Sequence, residues 1–259
     1  ITIVCASLVV LSPLAAGSAD QPLFASDDVL RISISAPLES ILRERDSEEY
    51  FAGTLTYPDD AAGARELAVR IRARGNYRRQ DRTCQFPPLR LNFVRKDMAG
   101  TVFEGQDKLK LVTHCQTYSA RYEQMVLREF LAYRILQAVT DNSFQVRLLQ
   151  INWHDADDDD EPFERYAFLI EDDDLLAERI GLEVAEVGHA FPSQLDREQA
   201  SLIGVFEYLI GNTDFSMLRG AAAEDCCHNA VLLKSGNEYL PVPYDFDFAG
   251  LVDAPYAAP

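Results

Sequence analysis

The sequence predicts an α+β protein of two lobes, with a β-rich N-terminal lobe, a helical C-terminal lobe and a cleft between them near residues 171–176. Three observations predict it. Up to about residue 112, short runs alternate apolar and polar residues between turn residues, the pattern of half-buried antiparallel strands. Two longer stretches, 121–139 and 198–209, repeat apolar residues with the period of a helix. After the second of these, the acids and amides Asp214, Asn229, Asp245 and Asp247 gather around two short apolar runs.

The 259 residues are enough for one large domain or a two-lobed one. With 47% hydrophobic and 25% charged residues, most of the chain is expected to be globular. The 42 acids outnumber the 24 bases, giving a net charge of −18. That balance argues against nucleic acid and anionic membrane as general partners and leaves room for a local basic pocket.

Ile1 to Leu11 form an apolar run, followed by small residues as far as Ala19. This is the pattern of a secretory signal lacking its charged n-region, with cleavage after Ala19. It is too short for a comfortable membrane span. The expected locale is therefore periplasmic or secreted, with no membrane span once the signal is removed. Cys5 leaves with the signal, and Cys84, Cys115, Cys226 and Cys227 remain. In an oxidising compartment, Cys84 and Cys115 are natural partners, since each ends a predicted strand and those strands look sequential. The neighbours Cys226 and Cys227 are not expected to bond each other, and one is expected to pair outside this sequence. No spacing suggests zinc, and His114 reads as structural.

In chain order, strands are expected at 29–35, 50–57, 66–74, 89–93 and 108–113, with a short helix or turn after Pro37 and a turn at Pro58. The third strand ends in Gly75 and Asn76, a turn with Arg78 and Arg79 at its tip. The helix 121–139 follows, then strands at 145–153 and 164–170. Between these lies a nearly all-acidic run, 155–161, which reads as a solvated hairpin tip, with a calcium loop as the lesser alternative. A short helix at 175–180 and the helix 198–209 complete the order. The domain division is thus 1–19 signal, 20–170 β-rich lobe with one long helix, and 171–259 C-terminal lobe.

Ile210–Gly211–Asn212–Thr213–Asp214, then Asn229, an apolar strand and Pro243–Tyr244–Asp245, resembles the catalytic loop and metal acid of HipA-type kinases. The wider order looks like the spore-coat CotH-type kinases. Arg74–Gly75–Asn76 after a strand, the strand 89–93, the Glu-bearing helix, the hairpin 145–170 and Glu171 follow in sequence. The resemblance covers roughly residues 65 to 250 and implies a two-lobed protein-kinase-like fold that binds ATP with Mg²⁺ or Mn²⁺. It implies a phosphoryl acceptor that is a protein or small-molecule hydroxyl.

The resemblance makes Asp214 the catalytic base and Asn229 and Asp245 metal ligands, with Asp247 a second ligand on the same strand face or the metal acid itself. Lys110, with Lys108 and Arg90 as alternatives, becomes the phosphate cation. Glu129, or else Glu123, becomes its helix partner. Arg74, Asn76, Arg78 and Arg79 would cap phosphates, and Glu171 would hold adenine at the hinge. Taken singly, Asp214 also reads as a helix-terminal turn residue, and Lys108 and Lys110 as solvent-facing strand residues.

The sequence departs from the family in three ways. Fifteen residues separate Asp214 from Asn229, where kinases use about five. There is no GxGxxG loop. The helices of a kinase C-lobe normally follow the metal strand, so the resemblance implies that the sequence is a fragment. The second expectation is a catalytically inactive pseudokinase or envelope-assembly binding module.

Overall fold

The computed structural model describes residues 21–59, 63–158, 161–220 and 225–257. The predicted signal, with Cys5 and Ala19, lies outside the described residues, as do Asp159 and Asp160 of the acidic run.

The N-terminal half is a closed barrel rather than an open lobe. Its strands are β1 (Leu30–Ala36), β2 (Phe51–Asp59), β3 (Gly63–Ala73), β4 (Leu89–Asn92), β5 (Lys108–Val112), β6 (Val146–Asp155) and β7 (Phe163–Ile170). They close in the order β1-β2-β3-β4-β5-β7-β6. Six joints are antiparallel. The seventh, β1 against β6, is parallel and pairs Leu30 with Leu149 through Ala36 with Asp155. Alternation predicts the inward side chains: Ile32 and Ile34, Val69 and Ile71, Leu89 and Leu91, Leu109 and Leu111, and Ile151 and Trp153 all fill one core. Pro58 and Asp59 continue β2 instead of turning. Asp155 accepts the backbone N–H groups of Leu38 and Glu39 at the start of α1 (Leu38–Arg43), so this acid works as a helix cap.

The expected helical C-terminal lobe of a protein-kinase-like fold is not what forms. Four α-helices are present among the described residues: α1, α2 (Ala120–Gln137), α3 (Asp173–Ile180) and α4 (Arg197–Ile210). The C-terminal half adds a three-stranded sheet in the order β10 (Glu238–Pro243), β9 (Ala230–Ser235), β8 (Glu183–Val184). The decisive contact is the parallel β1–β6 joint, which turns what reads as an open antiparallel sheet into a barrel.

A second core lies on the outside of that barrel. Val112, Val146, Phe168 and Ile170, on the outward faces of β5, β6 and β7, meet Met125, Val126, Tyr133 and Leu136 of α2. Ile203, Phe206 and Ile210 of α4, with Leu233, Val242 and Phe246, close it from the other side. Phe246 is fully buried, a contribution of about 1.5–3 kcal/mol for such a side chain. α3 and α4 start on capping acids, Asp172 and Asp196. Gly211, at φ 69°, takes the left-handed turn that ends α4 and delivers Asn212 to the loop carrying Asp214.

Cys84 and Cys115 form the expected disulfide, tying the loop before β4 to the end of β5, where Phe86 and Cys115 also pair by backbone. His114 is buried beside it against Phe86 and Phe163. Burial, and then the charge of Arg165, lower its pKa to about 3, so it is a neutral structural residue. Cys226 and Cys227, not expected to bond each other, are joined to each other across a cis peptide bond.

Candidate functional site

The loops after β3, α4 and β10 meet around one cavity of about 220 Å³. Arg74, Asn76 and Arg78 line it from the β3 side, and Asp214, Asn229 and Asp245 from the C-terminal side. This cavity lies between the barrel rim and the C-terminal loops, and none of residues 171–176 lines it. Gly75, at φ 90°, takes the left-handed conformation that swings the chain out of β3 and across the cavity.

Arg78 is the centre of the site. Its guanidinium donates to Glu129 Oε2 at 3.0 Å and Asp245 Oδ1 at 2.6 Å, and its Nε lies 3.2 Å from Asp247 Oδ2. Three carboxylates crowd one buried guanidinium, with Arg74 acting on two of them, and the group responds unevenly. Burial pushes Glu129 and Asp247 up despite Arg78. Burial also works against Asp245, but Arg78 and then Arg74 outweigh it and hold this carboxyl below its usual value. Asp245 is thus the acid of the three kept ionised. Its backbone sits in the left-handed region (φ 62°), and its N–H is held by the Tyr133 hydroxyl at 2.8 Å.

Asp247 is not on a shared strand face with Asp245. β10 ends at Pro243, and Phe246–Phe248 form a 3₁₀ turn. Asp247 faces inward, held by Arg78 and by the Tyr256 hydroxyl at 3.0 Å, which fits a holder of Arg78 better than a metal ligand.

The two ends of the long step from Asp214 to Asn229 lie side by side. Ser216 N–H donates to the His228 carbonyl at 2.9 Å, and the two residues form an antiparallel bridge. Asn229 then donates its amide to the Asp214 carbonyl at 2.7 Å and to Oδ2 at 3.1 Å. His228 Nε2 lies 2.9 Å from Asp214 Oδ1. Both carboxylate oxygens of Asp214 are thereby oriented, while Asn212 Oδ1 accepts the Asp214 N–H at 3.0 Å.

Lys110, Lys108, Glu123, Glu171 and Arg79 lie elsewhere or make other contacts than those expected. Lys110 does not pair with Glu129. It bonds Asp173 at 2.7 Å and lies over the Tyr244 ring at 4.7 Å. It points outward from β5, toward α3, whereas Glu129 on α2 reaches the Arg78 turn. Lys108, at the exposed start of β5, is remote from this cluster, and Glu123 accepts the Tyr166 N–H. Glu171 is fully buried. It is taken by Gln21, the Gln145 N–H and Arg179, so it offers nothing to a base. Arg79 turns away to Asp46 and Glu48.

Arg74 and Arg90 behave differently from every other cation near the site. Arg90 stands opposite Lys110 in the β4–β5 pairing, and its Nε is buried without a partner. Arg74 lines the cavity, and burial lowers its pKa. Neither guanidinium makes an ion pair or a side-chain hydrogen bond among the described residues, in a chain where acids outnumber bases.

A magnesium-type ion wants oxygen ligands and keeps several waters or phosphate oxygens. Asn229 spends its N–H groups on Asp214, which leaves Oδ1 without a partner among the described residues. Asp245 commits Oδ1 to Arg78 and keeps Oδ2. That donor set fits an ion held largely by a phosphate ligand, and no group of three or more His, Cys, Asp or Glu suited to a metal occurs among the described residues.

His228, Asn212 and Tyr133 are the site residues that sequence reasoning missed. His228 adjoins Asn229 in the motif, yet nothing in the pattern says that it folds back on Asp214. Among the described residues no helix is long and apolar enough to cross a membrane. The Cys84–Cys115 disulfide is compatible with an extracellular or periplasmic location. No protein-family model and no curated protein sequence matches this chain.

Proposed function

We propose that the protein is an exported phosphotransferase that binds ATP with magnesium and moves the γ-phosphoryl group to a hydroxyl of a protein or small molecule. What carries this reading is Arg74, a buried guanidinium that lines the same cavity as the oriented acid Asp214 and makes no ion pair or side-chain hydrogen bond among the described residues, with Arg90 beside it. A buried guanidinium with no hydrogen-bond acceptor is unfavourable, and an anionic ligand would supply the acceptors. The cavity is smaller than the ~300–1,000 Å³ of ordinary ligand pockets, so it suits the phosphate end of a nucleotide and leaves the base outside.

In this reading Arg74 and Arg90 neutralise phosphate oxygens, and Arg78 holds Asp245 in place. Asn229 Oδ1 and Asp245 Oδ2 would hold the metal, which when bound offsets phosphate charge. Asp214 takes the proton of the acceptor hydroxyl as its oxygen bonds phosphorus and the bond to the ADP oxygen breaks. His228 and Asn229 fix the direction of that carboxylate. The net charge of −18 favours acceptors carrying positive charge.

Calorimetric titration with ATP–Mg²⁺ tests the proposal. Wild type should bind, Asp245→Ala should lose the magnesium dependence, and Asp214→Asn should bind without turnover. Absence of binding by wild type overturns it. Binding without turnover on any acceptor favours the second reading, a catalytically inactive binding module.

A further inference from the structure

α4 buries an acid that the proposed chemistry does not use. Ile203, Phe206 and Ile210 form its apolar face, and Glu207 lies on that same face, 1% exposed. Neither carboxyl oxygen of Glu207 has a hydrogen-bond partner among the described residues. No charged side chain is near enough to influence it; burial alone raises its pKa, to about 7, with only the Asn212 amide pulling the other way. The C-terminal end of a helix further disfavours an anion. Nothing in the packing rewards an acid at this position, where a leucine would serve the core better.

The one group that does is Asn212. Its backbone N–H donates to the Glu207 carbonyl at 2.9 Å, so the two residues are fixed against each other across the helix end. Its side chain is buried, with Nδ2 unpartnered and Oδ1 holding the Asp214 N–H. An orphan acceptor and an orphan donor are thus neighbours behind the loop that carries Asp214. We infer that Glu207 is a positioning residue, acting through Asn212 to fix the amide orientation that holds the Asp214 loop. The inference rests on the proposed reading only in taking Asp214 as the reactive acid.

The test is amide hydrogen exchange of Asp214, read by NMR on the full chain, in wild type, Glu207→Leu and Glu207→Gln. The leucine variant should lose Asp214 protection by about tenfold or more, while amides in the middle of α4 keep theirs. Glutamine, which retains an acceptor for Asn212, should restore protection to within about threefold of wild type. Asp214 protection unchanged in the leucine variant overturns the inference, as does a glutamine variant as loose as leucine. If the leucine variant fails to fold, the glutamine variant decides through pH. In wild type, Asp214 protection corrected for intrinsic rates should change between pH 6 and 8, and glutamine should abolish the part owed to Glu207. An identical profile in both would overturn the inference. ATP–Mg²⁺ titration of the same wild-type sample separates the two ideas. Failure to bind sinks the phosphotransferase reading and leaves the exchange result standing.

Discussion

Replacing Arg78 with alanine should be among the most damaging single changes in this protein. The side chain bonds Glu129 and Asp247, which are both almost fully buried, and the partly exposed Asp245. Alanine leaves the two buried carboxylates without the cation that bonds them both, and breaking a buried pair in this way costs about 3–5 kcal/mol. In a chain of this size that is roughly 6–20 °C in melting temperature.

The loss should also depend on pH in a defined direction. With Arg78 present, Glu129 and Asp247 already have raised pKa values. Removing the guanidinium raises them further, so in the variant they are neutral over a wider range. Groups whose folded pKa is raised weigh against folding as pH rises above the unfolded value, and the penalty is relieved as they protonate. The deficit of Arg78→Ala in urea unfolding should therefore be larger at pH 8 than at pH 5.5. Arg78→Lys should recover only part of it, because one ammonium cannot serve three carboxylates in the guanidinium plane. A deficit below about 1 kcal/mol, or one that does not change with pH, would refute the view that this arginine neutralises a buried acid cluster.

Two further outcomes follow. His114 has a folded pKa near 3; since an unfolded histidine titrates near 6.5, its contribution to stability is intact above pH 6.5 and is lost as pH falls toward 3. That loss amounts to about 1.4 kcal/mol per pH unit, and His114→Asn should flatten this limb of the urea-midpoint profile. Lys110 bonds Asp173 rather than lining the cavity, so Lys110→Met should weaken ATP–Mg²⁺ binding by less than about threefold and Arg74→Ala by about tenfold or more. The reverse order would return the phosphate role to Lys110.

Local pattern carried much of the secondary structure. Alternation in 66–74 and 89–93 marks β3 and β4 with their inward residues, and the helical period of 198–209 marks α4. The sequence also held an unread signal in α4. An acid at position 207 falls on the stripe of Ile203, Phe206 and Ile210, and a buried acid there is a candidate for function. The roles of Arg78, Lys110 and Glu171 were not legible, because each depends on which distant acid or backbone group lies opposite.

By itself, then, the sequence determined most of the strands and helices, the Cys84–Cys115 disulfide, and the placing of Arg74, Asp214, Asn229 and Asp245 at the ends of elements. Only tertiary structure decided that β1 closes a barrel against β6, more than one hundred residues away. It also decided that Glu129 belongs to Arg78, and that Asn229 lies against Asp214. Side-chain periodicity reports which face of an element is buried, and it repeats every two or 3.6 residues. Pairing between distant strands and the sharing of one guanidinium by three acids have no period, so they appear only once the chain is folded.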